Sequence, residues 1–72
     1  MNARDAALRV LAEAEGEMLH WTVVWDRALR AGYIDPREQP DARDELVRAL
    51  AREAKAGTVE KTSKGTYRSP GT

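Results

Sequence analysis

Three amphipathic stretches, each followed by a glycine, constrain the fold of this chain most strongly. Within each stretch, apolar residues recur at the spacing of one face of a helix. Gly16, Gly32 and Gly57 stand where the three patterns end, and glycine readily adopts the left-handed conformation that terminates a helix. The pattern predicts three helices, over residues 3–15, 23–31 and about 41–56.

A strand–turn–strand pattern follows the third helix. Thr58–Thr62 and Thr66–Arg68 have the composition of short strands, and Ser63–Lys64–Gly65 between them has that of a turn. Alternation along the strands predicts that Val59 and Tyr67 point inward. We therefore expect a two-stranded β-hairpin at this end of the chain.

The second helix is preceded by a short apolar stretch, Met18–Trp21, and Thr22 is predicted to cap it through its hydroxyl. His20 is the only histidine, and without cysteine or suitably spaced carboxylates it is predicted to form no metal or catalytic site. We expect its ring to lie beside Trp21 or to cap the second helix. Trp21 and Trp25 are predicted to supply bulk to the core, because the chain has no phenylalanine.

Length and the absence of cysteine restrict the function classes. A chain of 72 residues without cysteine has no disulfide or thiolate metal site and a core too small to enclose a sizeable substrate cavity. The sequence predicts one domain over residues 1–68, a flexible tail over residues 69–72, no enzymatic activity, no cofactor and no small-molecule substrate. No apolar run has the length of a secretory signal or a membrane span, which predicts a cytoplasmic protein without a membrane partner.

Charge is balanced overall but divided along the chain. Twelve basic and twelve acidic residues give no formal net charge. From Leu46 onward, however, six basic residues stand against Glu53 and Glu60, which leaves a charge of +4 on that part and −4 on the rest. A division of this kind indicates that one end of the chain meets an anion or an acidic partner, while the other end stays neutral or faces outward.

The third helix carries a row of cations opposite its apolar face. The apolar face consists of Ala42, Leu46, Ala49, Leu50 and Ala54. At about 100° per residue, Arg48, Arg52 and Lys55 fall within roughly 60° of one another on the other side. Asp44 and Glu45 border the row and are predicted to pair with Arg48.

The order of these elements predicts a mainly helical fold with a small β-hairpin, a winged helix-turn-helix with a three-helix core and a two-stranded wing. The chain also resembles the HARE-HTH family of winged helices. The similarity lies in Leu19–Thr22, in Arg27–Ile34 and in Lys64–Tyr67, and it covers most of the chain. It implies a compact winged helix of the kind found in bacterial restriction and transcription proteins and in eukaryotic chromatin factors, with DNA binding proposed for many members.

Two functions from different classes are compatible with this fold. In the first, the third helix enters the major groove of duplex DNA and the wing, residues 58–68, holds phosphate. In the second, the domain is a protein-interaction winged helix that uses the same surface or the acidic N-terminal half to dock on a larger regulatory, restriction or polymerase complex. Besides duplex DNA, the expected partners are therefore another protein or a second copy of the chain, as a homodimer. The candidate DNA-binding residues are Arg43, which lies nearer the apolar side, Arg48, Arg52, Lys55, Lys61, Lys64 and Arg68.

Overall fold

The computed structural model describes residues 1–70 and contains three helices and three short strands. In chain order these are α1 (Ala3–Glu13), β1 (Leu19–His20), α2 (Trp21–Arg30), α3 (Ala42–Ala56), β2 (Glu60–Ser63) and β3 (Thr66–Arg68). The strands form one antiparallel sheet in the order β1-β3-β2. This is a winged helix-turn-helix fold, as predicted, with β2 and β3 as the wing and β1 as an additional short strand.

α1 has a side-chain cap at its start and a glycine turn after its end. The Asn2 side chain accepts the backbone N–H of Asp5 at 2.8 Å, which supplies a partner to one of the otherwise free amides of the first turn. The helix ends at Glu13, two residues earlier than predicted, because Glu15 and Gly16 take left-handed conformations with φ of 52° and 89°.

The cap of α2 differs from the prediction. His20, not Thr22, is the N-terminal cap, and its Nδ1 accepts the backbone N–H of Thr22 at 3.3 Å and lies 2.8 Å from the Thr22 hydroxyl. His20 has the extended backbone expected of a cap, so the helix begins at Trp21 and Thr22 lies inside its first turn. The expectation that the His20 ring lies beside Trp21 and caps this helix is confirmed.

α3 begins and ends close to the predicted positions. Asp41 precedes its first residue but makes no capping hydrogen bond through its side chain. At the other end, Gly57 has a φ of 83°, and the N–H of Thr58 donates to the carbonyl oxygen of Glu53 at 2.9 Å. This left-handed glycine closes the helix and directs the chain into the wing.

The core lies between the three helices and the inner face of the sheet. Its largest fully buried side chains are Leu11, Leu46, Leu50, Val10 and Val24. Val59 and Tyr67 extend it into the wing, as the strand alternation predicts. Trp21, Trp25 and Leu29 pack against this cluster but stay partly exposed, so the two tryptophans contribute less to the interior than the sequence suggests.

An ion pair ties the N-terminal end of α1 to α3. Arg4 Nε lies 3.1 Å from Glu53 Oε2. The hydrogen bond from Arg4 lowers the pKa of the Glu53 carboxyl below its ordinary value, although partial burial acts in the opposite direction. Because the Glu53 carbonyl also accepts from Thr58, this residue joins α1, α3 and the start of the wing.

Candidate nucleic-acid interface

α3 and the wing present most of the candidate DNA-binding residues to solvent. The exposed cations on α3 are Arg43, Arg48, Arg52 and Lys55. In the wing, Lys61 is exposed on β2 and Lys64 in the turn between β2 and β3. Arg68 on β3 is half-buried. The six exposed cations are called the cationic surface below.

The six basic residues outside the cationic surface are all arginines that pair with carboxylates. At least one salt bridge with an aspartate or glutamate is formed by each of these arginines: Arg4, Arg9, Arg27, Arg30, Arg37 and Arg68. Over residues 1–70, no member of the cationic surface forms one. The lysine and arginine side chains that form no salt bridge within residues 1–70 are therefore confined to α3 and the wing.

Arg68 belongs structurally to the wing itself. Its guanidinium lies 2.9 Å from Glu60, the residue directly opposite on β2. The Arg68 Nε is buried and has no hydrogen-bond partner within the described residues. Since a cross-strand pair of this kind stabilises the hairpin, Arg68 is less free than Lys61 or Lys64 to contact an external anion.

Arg48 is not held by the acidic residues that precede it. The sequence predicts pairing with Asp44 and Glu45, but neither carboxylate forms a salt bridge with Arg48 in the described structure. All three side chains are exposed. Exposed pairs at this spacing contribute only a few tenths of a kcal/mol, so they are readily left unformed.

The turn of the wing is fixed to the start of α2. The carbonyl oxygen of Gly65 accepts the N–H of Trp21 at 2.8 Å. A Cβ atom added at Gly65 would lie 2.8 Å from His20 Nε2 and 3.3 Å from Trp21 Cδ1, so only glycine fits this close approach. The contact holds Lys64, in the same turn, next to the N-terminal end of α2.

Trp21 also forms the floor of an open cavity between α2 and α3. The guanidinium of Arg43 lies 5.0 Å from the centroid of the Trp21 ring, which is within the range of a cation–π interaction. The cavity has a volume of about 470 Å³ and is lined by Trp21, Arg43, Asp44, Val47 and Arg48. The cavity opens on the N-terminal half of α3, and two members of the cationic surface, Arg43 and Arg48, line it.

The sequence did not indicate this cavity. Trp21 was predicted to lie in the core, and no pattern along the chain shows that Arg43 would cover its ring. The signal that was present is the position of Arg43 toward the apolar side of α3, which places its side chain on the side of the helix that faces α2.

Other kinds of site find little support in the described residues. Within residues 1–70, no three or more histidine, aspartate or glutamate side chains come together in a way that could hold a metal ion. No helix in this range has both the length and the apolar character needed to cross a bilayer. Comparisons with protein-family models, with curated proteins and with solved structures give no match for the chain.

Proposed function

We propose that this domain binds duplex DNA through α3 and the wing, as a module of transcription or other DNA-associated regulation in the cytoplasm. The observation that carries the proposal is the distribution of ion pairs. The arginines outside α3 and the wing are neutralised by a neighbouring carboxylate, whereas the six residues of the cationic surface are not. Lysine and arginine side chains without a carboxylate partner are available to phosphate.

The geometry of α3 suits the major groove. One exposed face of α3 carries Arg48, Arg52 and Lys55 over eight residues, and the first and last of them are roughly 10 Å apart along the axis. A helix fits the major groove of B-form DNA, and arginine can contact both guanine edges and phosphates through its planar fork. We assign base and phosphate contacts to α3, and phosphate contacts to Lys61 and Lys64 of the wing.

The balanced net charge sets the expected affinity. A domain with no formal net charge lacks the long-range attraction that helps strongly basic domains to bind DNA. We expect micromolar or weaker binding to non-specific duplex at physiological salt, and tighter binding where a second copy or a tethered partner adds contacts.

Fluorescence polarisation with labelled duplexes over a salt series tests the proposal. Arg48→Ala and Arg52→Ala should each weaken binding by about 1–3 kcal/mol if they contact bases. Lys61→Ala and Lys64→Ala should reduce the slope of log affinity against log salt by roughly one for each phosphate contact removed.

Arg30→Ala is the matched control for these variants. It removes the same charge from an exposed arginine that pairs with Asp26 on α2. We expect it to leave duplex affinity close to that of the wild-type protein. An equal loss of affinity for Arg30→Ala and Arg48→Ala, or no binding of the wild-type protein to any duplex at low salt, would contradict the proposal.

A second candidate function is docking on a larger regulatory, restriction or polymerase complex. The exposed carboxylates of Asp44 and Glu45 favour it, because they weaken the attraction of α3 for phosphate and suit a partner that carries basic residues. The resemblance to the HARE-HTH family is compatible with either function. Failure of duplex binding at low salt would leave this docking function as the better proposal.

A further inference from the structure

The cavity between α2 and α3 combines groups that differ in what they can bind. Arg43 and Arg48 supply hydrogen-bond donors, Asp44 supplies acceptors, and Trp21 supplies a flat apolar floor. A surface that served only to attract phosphate would gain nothing from the carboxylate. The combination points instead to a ligand that presents both acceptors and a donor.

The contact with Trp21 favours binding of Arg43 to a group that presents two hydrogen-bond acceptors. The guanidinium carbon of Arg43 lies 5.0 Å from the centroid of the indole ring, and its N–H groups remain able to donate. Over residues 1–70 no carboxylate takes them up in a salt bridge. Because the contact with Trp21 restricts the side chain before binding, less conformational entropy is lost when a two-acceptor edge such as that of guanine is bound.

Asp44 distinguishes a base edge from a phosphate. Its exposed carboxylate lies next to Arg43 in the chain and lines the same cavity. A carboxylate repels phosphate, but it accepts a hydrogen bond from the N4 amino group of cytosine. In the major groove a G·C pair presents the two guanine acceptors and the cytosine donor side by side.

We infer that Arg43, held on Trp21, and Asp44 together read a G·C base pair in the major groove, with Arg43 on guanine and Asp44 on cytosine. This inference rests on the proposed binding of duplex DNA and adds sequence specificity to it. Asp44 therefore lowers the affinity for all duplexes and raises the discrimination among them, which is a common way for an interface to gain specificity.

Selection from a randomised duplex library, followed by sequencing of the bound fraction, tests the inference. The wild-type protein should enrich a G·C pair at one position. Asp44→Asn is the informative variant, because asparagine prefers adenine, to which it can both donate and accept. We expect the cytosine preference to fall by on the order of tenfold or more and adenine to gain at the same position.

Two further variants act as controls. Glu45→Gln removes the same charge as Asp44→Asn from an exposed neighbour that does not line the cavity, so it should raise affinity for all duplexes without changing the preferred base. Arg43→Lys keeps the charge but loses the planar fork, so it should keep the salt dependence and lose the guanine preference. All these side chains are exposed, and circular dichroism checks that each variant is folded.

The outcomes separate this inference from the proposed function. If the wild-type protein binds duplexes without base preference, or if Asp44→Asn and Glu45→Gln change the selected bases in the same way, the reading of G·C by Arg43 and Asp44 is wrong while duplex binding stands. If the wild-type protein binds no duplex at all at low salt, the proposed function fails and this inference with it.

Discussion

The carbonyl oxygen of Gly65 and the backbone N–H of Trp21 form a hydrogen bond of 2.8 Å that joins the turn of the wing to the first residue of α2. This bond fixes the position of the wing relative to Trp21, whose ring contacts the guanidinium of Arg43. The same contact engages one of the amides at the start of α2, and His20 engages the next. The wing and the cavity are therefore parts of one packed unit.

Gly65→Ala should destabilise the domain more than Gly32→Ala. Both glycines have a left-handed φ, 74° and 75°, so alanine costs roughly 1–2 kcal/mol of backbone strain at either position. Only at Gly65 would the new methyl group also meet the His20 ring, and displacing that ring breaks the cap of α2. Urea denaturation of both variants measures the difference, which we expect to be at least about 1 kcal/mol.

Addition of His20→Ala to the Gly65→Ala variant provides the control for this prediction. Removal of the imidazole relieves the clash, so the two substitutions together should cost less than the sum of their separate effects. Equal destabilisation by Gly65→Ala and Gly32→Ala, with additive behaviour of His20→Ala, would show that the wing turn does not pack on His20.

His20→Ala should lower the stability, whereas His20→Asn should largely preserve it. The imidazole accepts the N–H of Thr22 at the start of α2, and loss of a side-chain cap costs typically about 1 kcal/mol. Asparagine is among the best capping residues, so it restores the hydrogen bond without the ring. Thermal denaturation of the two variants measures the effect, and equal melting temperatures would argue against a capping role.

Leu50→Ala should cost about 2–5 kcal/mol of unfolding free energy. The Leu50 side chain is completely buried on α3, so its removal leaves a cavity at the centre of a small core. A loss of this size is a large part of the stability of a typical domain. Chemical denaturation gives the value, and a change below about 1 kcal/mol would mean that α3 packs differently from the arrangement described here.

The Arg4–Glu53 pair makes part of the stability dependent on pH. Because Arg4 lowers the pKa of Glu53 in the folded state, the pair stabilises the fold above the ordinary glutamate pKa of about 4.3. This contribution is lost as the pH falls through the lowered pKa, where Glu53 becomes protonated. Arg4→Gln should therefore be less stable than the wild-type protein at pH 7, and the difference should shrink below about pH 4.

Arg30→Gln is the control for the pH dependence, since it removes the same charge from an exposed pair within one helix. Denaturation at several pH values should show little effect of this control at any pH. A difference between Arg4→Gln and the wild-type protein that stays constant from about pH 7 to pH 3 would contradict the role assigned to Glu53.

The sequence predicted the elements that depend on local pattern. The apolar stripe of α3 ends where Gly57 takes a left-handed conformation, and Val59 and Tyr67 are buried as the alternation of the hairpin requires. These features follow from helical and strand periodicity together with the conformational freedom of glycine. Each can be read within a window of a few residues.

Features that depend on distant contacts could not be predicted in this way. Local pattern offered both Thr22 and His20 as caps of α2 and did not decide between them, because threonine is the more common capping residue. β1 has only two residues, which is too short for a periodic signal. The pairing of Arg68 with Glu60 depends on the register of β2 and β3, which shifts between Lys61 and Ser63, and no local pattern predicts this irregularity.

A titration of ¹⁵N-labelled protein with a short duplex at low salt shows, residue by residue, whether α3 and the wing bind DNA. We predict that the amide shifts of residues 43–55 and 60–66 change progressively with added duplex. The amides of Arg9, Ala12 and Glu13, on the exposed side of α1, should change little. Chemical-shift changes centred on α1, or the absence of any change at low salt, would contradict binding of DNA by α3 and the wing.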